Sequence, residues 1–394
     1  METVRIGIIG VGGMGGHHAR SLVAGLVPKG KLVAVCDVNP ARLEWARGEF
    51  GENIKPFDDA QKMLAEKCCD AVVVATPHYF HPPLAIDALN AGHHVMIEKP
   101  AGVYTKQIRE LNVVAGRTHT DHGLVFGIMY NQRTRPVYRK LKDMVETGEI
   151  GELKRTNWII TSWYRSQSYF DSGGWRATWD GEGGGVLLNQ CPHQLDLWQW
   201  MCGMPSRVRA FCYFGKYHDI EVEDDVTAFV EYPNGATGVF ITSTADAPGT
   251  NRLEVTGEMG KVVVEGEHME FWRLRQNERA FNREYKGGFG SPECWRCEIP
   301  IKAGGNNPHE IIMNNWVDSI RGGAQLLAPG PEGINGLSIS NAMHLSTWTD
   351  SWVDLPIDEE LFYAKLHEQI GKSTSRKGVD SDQTMDVKTS FSHG

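Results

Sequence analysis

Six residues near the start of the chain, Gly10-Val11-Gly12-Gly13-Met14-Gly15, constrain its fold more than any other segment. They join an apolar run, Val4 to Ile9, to a helical pattern from Met14 to Leu26, so the glycines fall where a strand becomes a helix. At such a junction Gly10 permits the tight turn, Gly12 lets the backbone approach a pyrophosphate, and Gly15 lets helix and strand pack closely. Gly13 and Met14 open the helix, whose unpaired N–H groups and positive dipole end face the phosphates. Asp37 closes a second strand-like run, Lys31 to Cys36, where a carboxylate accepts hydrogen bonds from the adenosine ribose. Its charge repels a 2′-phosphate, so the pattern favours NAD over NADP. Arg42, in the first turn of the next helical stretch, either lies over the adenine, neutralises a phosphate or is solvated.

The same alternation continues. Pro40 to Phe50 reads as a helix with proline in its first turn, Ala71 to Ala75 as a strand buried on both faces, and Leu84 to Asn90 as a helix. Val95 to Ile97, Lys106 to Ala115 and Leu124 to Met129 extend the series as strand, helix and strand. This spacing predicts an α/β domain over residues 1–126, an open, doubly wound parallel sheet of the Rossmann type. Beyond it the pattern changes to hairpins. Lys154 to Trp163, Arg207 to Phe214, Val226 to Tyr232, Ala236 to Thr244, Leu253 to Thr256, Lys261 to Glu265 and His268 to Leu274 read as strands, with Asn234-Gly235 as a turn. Residues 127–370 are thus expected to form an α+β domain on a mainly antiparallel sheet, closed by helices over Glu332 to Trp352 and Asp358 to Ile370. Residues 371–394, rich in Ser, Thr and Asp, read as a mobile tail.

Composition narrows the function. Forty Lys and Arg against 49 Asp and Glu give a net charge of −9 without a basic block, which argues against a nucleic-acid partner. No apolar run is long enough to cross a bilayer, and the N-terminus does not read as a signal peptide. Eight cysteines in 394 residues are not a disulfide framework and fit a reducing, cytoplasmic setting. Cys294-Trp295-Arg296-Cys297 is a lone CxxC with no second pair, so no metal site is expected and loop or core cysteines are the default.

Between Ala75 and Gly102 the chain reads ATPHYFHPPLAIDALNAGHHVMIEKPAG. With Thr76-Pro77, His81 and Glu98-Lys99-Pro100 it resembles the sugar-oxidoreductase family of glucose–fructose oxidoreductase, inositol dehydrogenase and the rhizopine-catabolism dehydrogenases (Gfo/Idh/MocA). The resemblance implies that Thr76, Pro77, His81, Glu98 and Lys99 border the nicotinamide and that the Lys99–Pro100 bond is cis. Independently, Lys99 ends a parallel strand at its carboxyl end, where ligands bind in such sheets and an ammonium can stabilise a developing alkoxide. The resemblance extends through Gly127-Ile128-Met129-Tyr130-Asn131-Gln132-Arg133, where Asn131 and Arg133 are candidates for nicotinamide or substrate contact and Arg133 is equally a structural residue.

The second domain carries Gly183-Gly184-Gly185-Val186-Leu187-Leu188-Asn189-Gln190-Cys191-Pro192-His193-Gln194-Leu195-Asp196. The resemblance makes His193 the general base, four residues after a position that is a carboxylate in the family and Asn189 here. An amide can position Lys99 or a hydroxyl but cannot offset its charge, so Lys99 is expected to lose an acidic neighbour. Asp196 either orients the His193 ring or packs between domains. Upstream lies a loop rich in aromatic and polar residues, with Tyr164, Tyr169, Trp175 and Arg176 as candidate contacts for a sugar's C–H faces and hydroxyls. His309 is a weaker candidate.

The expectation is an NAD-dependent enzyme moving hydride between nicotinamide and a secondary hydroxyl of a sugar, a cyclic polyol or a glycoside, including C3 of a glucoside. An NAD-dependent glycosidase working by transient oxidation and elimination would use the same residues. A non-catalytic nucleotide sensor is disfavoured by the presence of both Lys99 and His193. The resemblance also implies a homodimer or homotetramer, formed through the open face of the second sheet.

Overall fold

The computed structural model describes residues 2–302, 304–305 and 307–374. Six strands form the first sheet: β1 (Val4–Ile9), β2 (Gly30–Cys36), β3 (Lys55–Phe57), β4 (Ala71–Val74), β5 (His94–Ile97) and β6 (Phe126–Ile128). They pair in parallel in the order β3-β2-β1-β4-β5-β6. Val72, Val73 and Val74 have no exposed surface, because helices cover both sides of the sheet. The order reverses between β1 and β4, and the carboxyl ends of those strands are where sheets of this kind bind ligands. The first sheet runs to Ile128, past the 126/127 division. The short strand β3 and the helix Ala60–Ala65 have no counterpart in the sequence reading. The helix expected to stop at Ala115 continues to His122 and ends where Gly123 takes φ +68°.

The second sheet has nine strands: β7 (Leu153–Ile160), β8 (Arg207–Phe214), β9 (Glu223–Glu231), β10 (Thr237–Ser243), β11 (Asn251–Gly257), β12 (Gly260–Glu265), β13 (His268–Leu274), β14 (Cys294–Glu298) and β15 (Val353–Asp354). Their order is β14-β13-β12-β11-β7-β10-β9-β8-β15, antiparallel except for β7 beside β10. One face buries Trp158, Phe240 and Leu253, with Phe240 stacked on Trp198 of the helix Pro192–Cys202, while Phe211, Tyr213 and Phe229 alternate outward and stay exposed. The CxxC forms edge strand β14, where three-residue spacing puts Cys294 and Cys297 on opposite faces. All eight cysteines are free thiols.

The helix Gly333–Thr349 packs across β8 and joins the two halves: Asn341 accepts from Thr105 N–H at 3.1 Å and donates to the Val103 carbonyl at 3.0 Å. At the far end Ser373 and Thr374 bond to Glu221; the rest of the expected tail, 375–394, lies outside the described residues. Among those described, no helix is long and apolar enough to cross a membrane.

Candidate functional site

The glycine turn has the geometry that its spacing predicts. Gly10 takes φ +88°, and a Cβ there would lie 2.7 Å from the Ala75 carbonyl oxygen, so the turns after β1 and β4 touch at the switch point. A Cβ on Gly15 would lie 1.8 Å from the Gly10 oxygen. At Gly12 a Cβ would meet nothing within 4 Å, which leaves the backbone open on the side a pyrophosphate would approach. The helix Gly13–Val23 begins there, with Met14 partly exposed in its first turn.

Asp37 is fixed by its own neighbours: Val11 N–H donates to Oδ2 and Asn39 N–H to Oδ1, each at 2.9 Å. Each oxygen of this half-buried carboxylate keeps acceptor capacity beyond these bonds, in keeping with a ribose partner. Arg42 is half-buried against the glycine turn rather than solvated. Its guanidinium donates to the Val11 carbonyl (2.9 Å from Nε) and lies 4.4 Å from the Trp45 ring centroid, bracing the glycine turn.

After β4, the Thr76 hydroxyl is buried without a partner. Pro77 precedes a turn of 3-10 helix, His78–Phe80. His81 is a bracket rather than a cofactor contact: its ring nitrogens lie 2.7 Å from the carbonyl oxygens of Thr76 and Pro100. Glu98 is likewise engaged, accepting from Lys99 N–H at 3.0 Å and lying 2.6 Å from His18 Nε2. Despite burial, these bonds and the nearby histidines bring its carboxyl down to about 2. The Lys99–Pro100 peptide is cis.

Lys99 Nζ donates to the main-chain carbonyl of Asn189 at 2.7 Å. Burial lowers its pKa, and Arg165 and Arg176 lower it further, against Glu98 and Glu182. The Asn189 side chain does not reach Lys99. Its amide donates to the Tyr169 hydroxyl at 3.3 Å and to the buried carboxylate of Glu182. Glu182 also accepts from Ala177 N–H at 2.7 Å, and burial raises its pKa. The expected loss of an acidic neighbour is therefore corrected. Glu182 stands close enough to Lys99 to favour its charged form, and the only hint of it in the sequence is an acid inside the glycine run before the histidine motif.

Asn189 lies in a turn of π-helix, Val186–Gln190, held by Glu223, which accepts from Gly185 N–H and Leu187 N–H at 2.9 Å each. The next helix carries His193 at its start. The His193 ring sits edge-on to Tyr130, and its Nδ1 is buried with no hydrogen-bond partner. Burial, with Lys99 and His309 nearby, holds its pKa well below the usual imidazole value. Asp196 does not orient this ring. It is ion-paired with Arg133 at 2.6 and 2.8 Å, and Arg133 also reaches Glu332. With 2% of its surface exposed, Arg133 is a structural tie, not a ligand contact. Asn131 Nδ2 lies 2.9 Å from His309 Nε2, while its buried Oδ1 has no partner. His309 is itself buried, with a pKa lowered to about 3.

In the aromatic loop, Tyr169 and Arg176 join the site (2.9 Å between Arg176 Nη1 and the Tyr169 hydroxyl), and Trp175 packs edge-on against His78. Tyr164 does not; its ring is half exposed to solvent. Two bonds tie this loop to the first sheet. The Tyr79 hydroxyl donates to the Trp179 carbonyl at 2.7 Å, and His78 Nδ1 lies 3.1 Å from the Glu182 carbonyl.

The open Gly12 backbone, the half-satisfied Asp37 carboxylate and the unpartnered Thr76 hydroxyl fit a dinucleotide across the switch point. Comparison with known proteins agrees. Residues 4–121 match the GFO_IDH_MocA model, an oxidoreductase family with an NAD-binding Rossmann fold, and residues 138–263 match the GFO/IDH/MocA C-terminal domain. The chain is 26% identical over 271 residues to scyllo-inositol 2-dehydrogenase (NAD(+)) of Bacillus subtilis, covering 67% of this chain and 74% of that protein. It is 24% identical to levoglucosan dehydrogenase of Pseudarthrobacter phenanthrenivorans, covering 90% and 99%. Among solved structures, the WlbA dehydrogenase of Chromobacterium violaceum, in complex with NADH and UDP-GlcNAcA, superposes with a TM-score of 0.76 at 27% identity, covering 91% of this chain and 97% of that one. With its cofactor half and its C-terminal half both matched, the chain belongs to the GFO/IDH/MocA oxidoreductase family and is an NAD-dependent dehydrogenase.

Proposed function

We propose that this enzyme oxidises a secondary hydroxyl of a sugar, glycoside or cyclic polyol, with Lys99 and His193 handling the hydroxyl group. The observation that carries this reading is the pairing of a Lys99 ammonium, fixed on the Asn189 carbonyl, with a His193 Nδ1 that no protein group uses. Relatives acting on inositol and levoglucosan support a polyhydroxylated ring as substrate.

Gly10, Gly12, Gly15, Asp37 and Thr76 would hold the dinucleotide, which supplies the two-electron acceptor. The protein's own work is proton handling and orientation. A depressed pKa keeps His193 neutral at physiological pH, so Nδ1 is free to take the hydroxyl proton. Lys99 donates from Nζ to the same oxygen and stabilises the charge that develops as the proton leaves. Asn189 fixes Lys99 through its carbonyl, and Glu182 fixes Asn189 through its amide. The exposed apolar positions of β8 and β9 favour association of two copies through that face.

The test is nicotinamide absorbance after adding NAD and a panel of sugars, polyols and methyl glycosides. Net reduction by wild type, lost in Lys99→Ala and His193→Ala, supports the dehydrogenase. Release of aglycone without net reduction would replace it with the glycosidase.

A further inference from the structure

Within the loop between β7 and the π-turn, two arginines converge on one phenol. The guanidinium of Arg165 lies 5.1 Å from the Tyr169 ring centroid and that of Arg176 lies 4.7 Å from it. The Tyr169 hydroxyl, bonded to Arg176 at 2.9 Å, is also within 3.3 Å of Asn189 Nδ2 and 3.2 Å of Gln190 Nε2. Asn189 in turn carries the Lys99 ammonium on its carbonyl. Three cations are thus arranged around one tyrosine and one peptide group.

Among the described residues, none of the three has a carboxylate within ion-pair distance; their hydrogen bonds go to the Tyr164 carbonyl, the Tyr169 hydroxyl and the Asn189 carbonyl. Elsewhere Arg5, Arg109, Arg133 and Arg209 are each paired with an acid. The two carboxyl groups that face Lys99 are engaged by other donors: Glu98 by His18 and the Lys99 N–H, Glu182 by Ala177 N–H and the Asn189 amide. Both arginines are only partly exposed, and although Glu182 acts electrostatically on Arg176 and, with Glu98, on Lys99, no carboxylate is ion-paired with any of the three cations among the described residues. Such an arrangement is unfavourable in the free enzyme and is relieved by an anion, which guanidinium groups bind in bidentate fashion.

We propose that Arg165 and Arg176, held on the Tyr169 ring beside Lys99, form a subsite for an anionic group on the substrate, a carboxylate or a phosphate ester, so that the enzyme prefers an acidic sugar derivative to its neutral counterpart. This rests on the sugar-dehydrogenase reading above and names its substrate class. Tyr169 keeps the two guanidinium groups in place by cation–π contact, and Trp175 supplies an apolar face beside them.

The test is calorimetric titration of the NADH-loaded protein, which binds without turnover, with methyl glycosides, the corresponding methyl uronides and the sugar 6-phosphates on glucose, galactose and mannose scaffolds. The expected result is binding of one acidic series about tenfold or more tighter than the neutral one. That advantage should shrink at high ionic strength and disappear in Arg165→Gln and Arg176→Gln, each still binding NADH. Which series binds distinguishes carboxylate from phosphate. Equal affinity for acidic and neutral members, no saturable binding of any acidic member, or Gln variants that weaken both equally would overturn the proposal. If acidic sugars bind but NAD is not reduced with them, the oxidation reading fails while the anion subsite stands.

Discussion

The side-chain amide of Asn189 donates to the buried carboxylate of Glu182, while the Asn189 main-chain carbonyl holds the Lys99 ammonium. One residue thus faces an acid with its side chain and a base with its backbone. Glu182→Gln removes the charge that favours protonated Lys99. The alkaline limb of kcat/KM should move to lower pH, by less than about one unit for a charge acting through an intervening residue. A fall in rate without a shifted limb would mean that Glu182 only packs the loop.

His193→Ala should lower kcat by roughly 10²- to 10⁴-fold, the usual contribution of a general base, with NADH binding retained. In wild type the depressed pKa of His193 places its protonation below the ordinary imidazole range. The acid limb of the rate profile should therefore fall well below pH 6.5. A limb at the ordinary imidazole value would assign it to another group.

Stability should decline on the acid side for the same reason. His78, His193 and His309 are buried with folded pKa values below the unfolded 6.5, that of His309 at about 3. Below pH 6.5 the unfolded chain takes up protons that the folded one refuses, so stability is present above that pH and lost as pH falls. Glu98, lowered from 4.5 to about 2, adds a loss of the same sign beginning near its unfolded value. Thermal unfolding should show Tm dropping by several degrees, roughly, between neutral pH and pH 5.

Arg133→Met would leave Asp196 buried without its partner, at a cost of about 3–5 kcal/mol. Unfolding by denaturant checks this. A variant as stable as wild type with a raised substrate KM would restore the ligand role that the structure denies to Arg133.

Asp37→Ser should raise the Kd for NAD by about ten- to a hundredfold, the value of a charged hydrogen bond, and narrow the preference over NADP. Fluorescence titration with NADH and NADPH gives both numbers.

Much of the fold could be read from local pattern. The strands Val4–Ile9 and Arg207–Phe214 and the helix Pro40–Phe50 begin and end where their periodicity and proline dictate. The elements without a legible pattern are short, such as Lys55–Phe57, or exposed and charged, such as Cys294–Glu298, so they carry little apolar signal. At the site, the glycines, Asp37, Lys99 and His193 stood out because spacing and motif mark them. Arg133, His81 and Asp196 were harder to read because their partners are set by tertiary packing: Arg133 meets Asp196 and Glu332, and His81 meets Pro100, across sequence distances that no local pattern spans. Glu182 and Glu223 are hard to read from sequence for the same reason, since a buried acid is recognisable only once its donors are in place.

The bonds from Tyr79 and His78 to the carbonyls of Trp179 and Glu182 tie the turn after Thr76 to the segment that carries Glu182 and Asn189. On the proposed reading the dinucleotide lies against the turn after Thr76 and the substrate against the segment from Trp179 to Asn189. A ligand that ordered one of these segments would, on that reading, also order the other through two side chains. By linkage, whatever affinity the dinucleotide confers on the substrate through that strap, the substrate confers in equal measure on the dinucleotide.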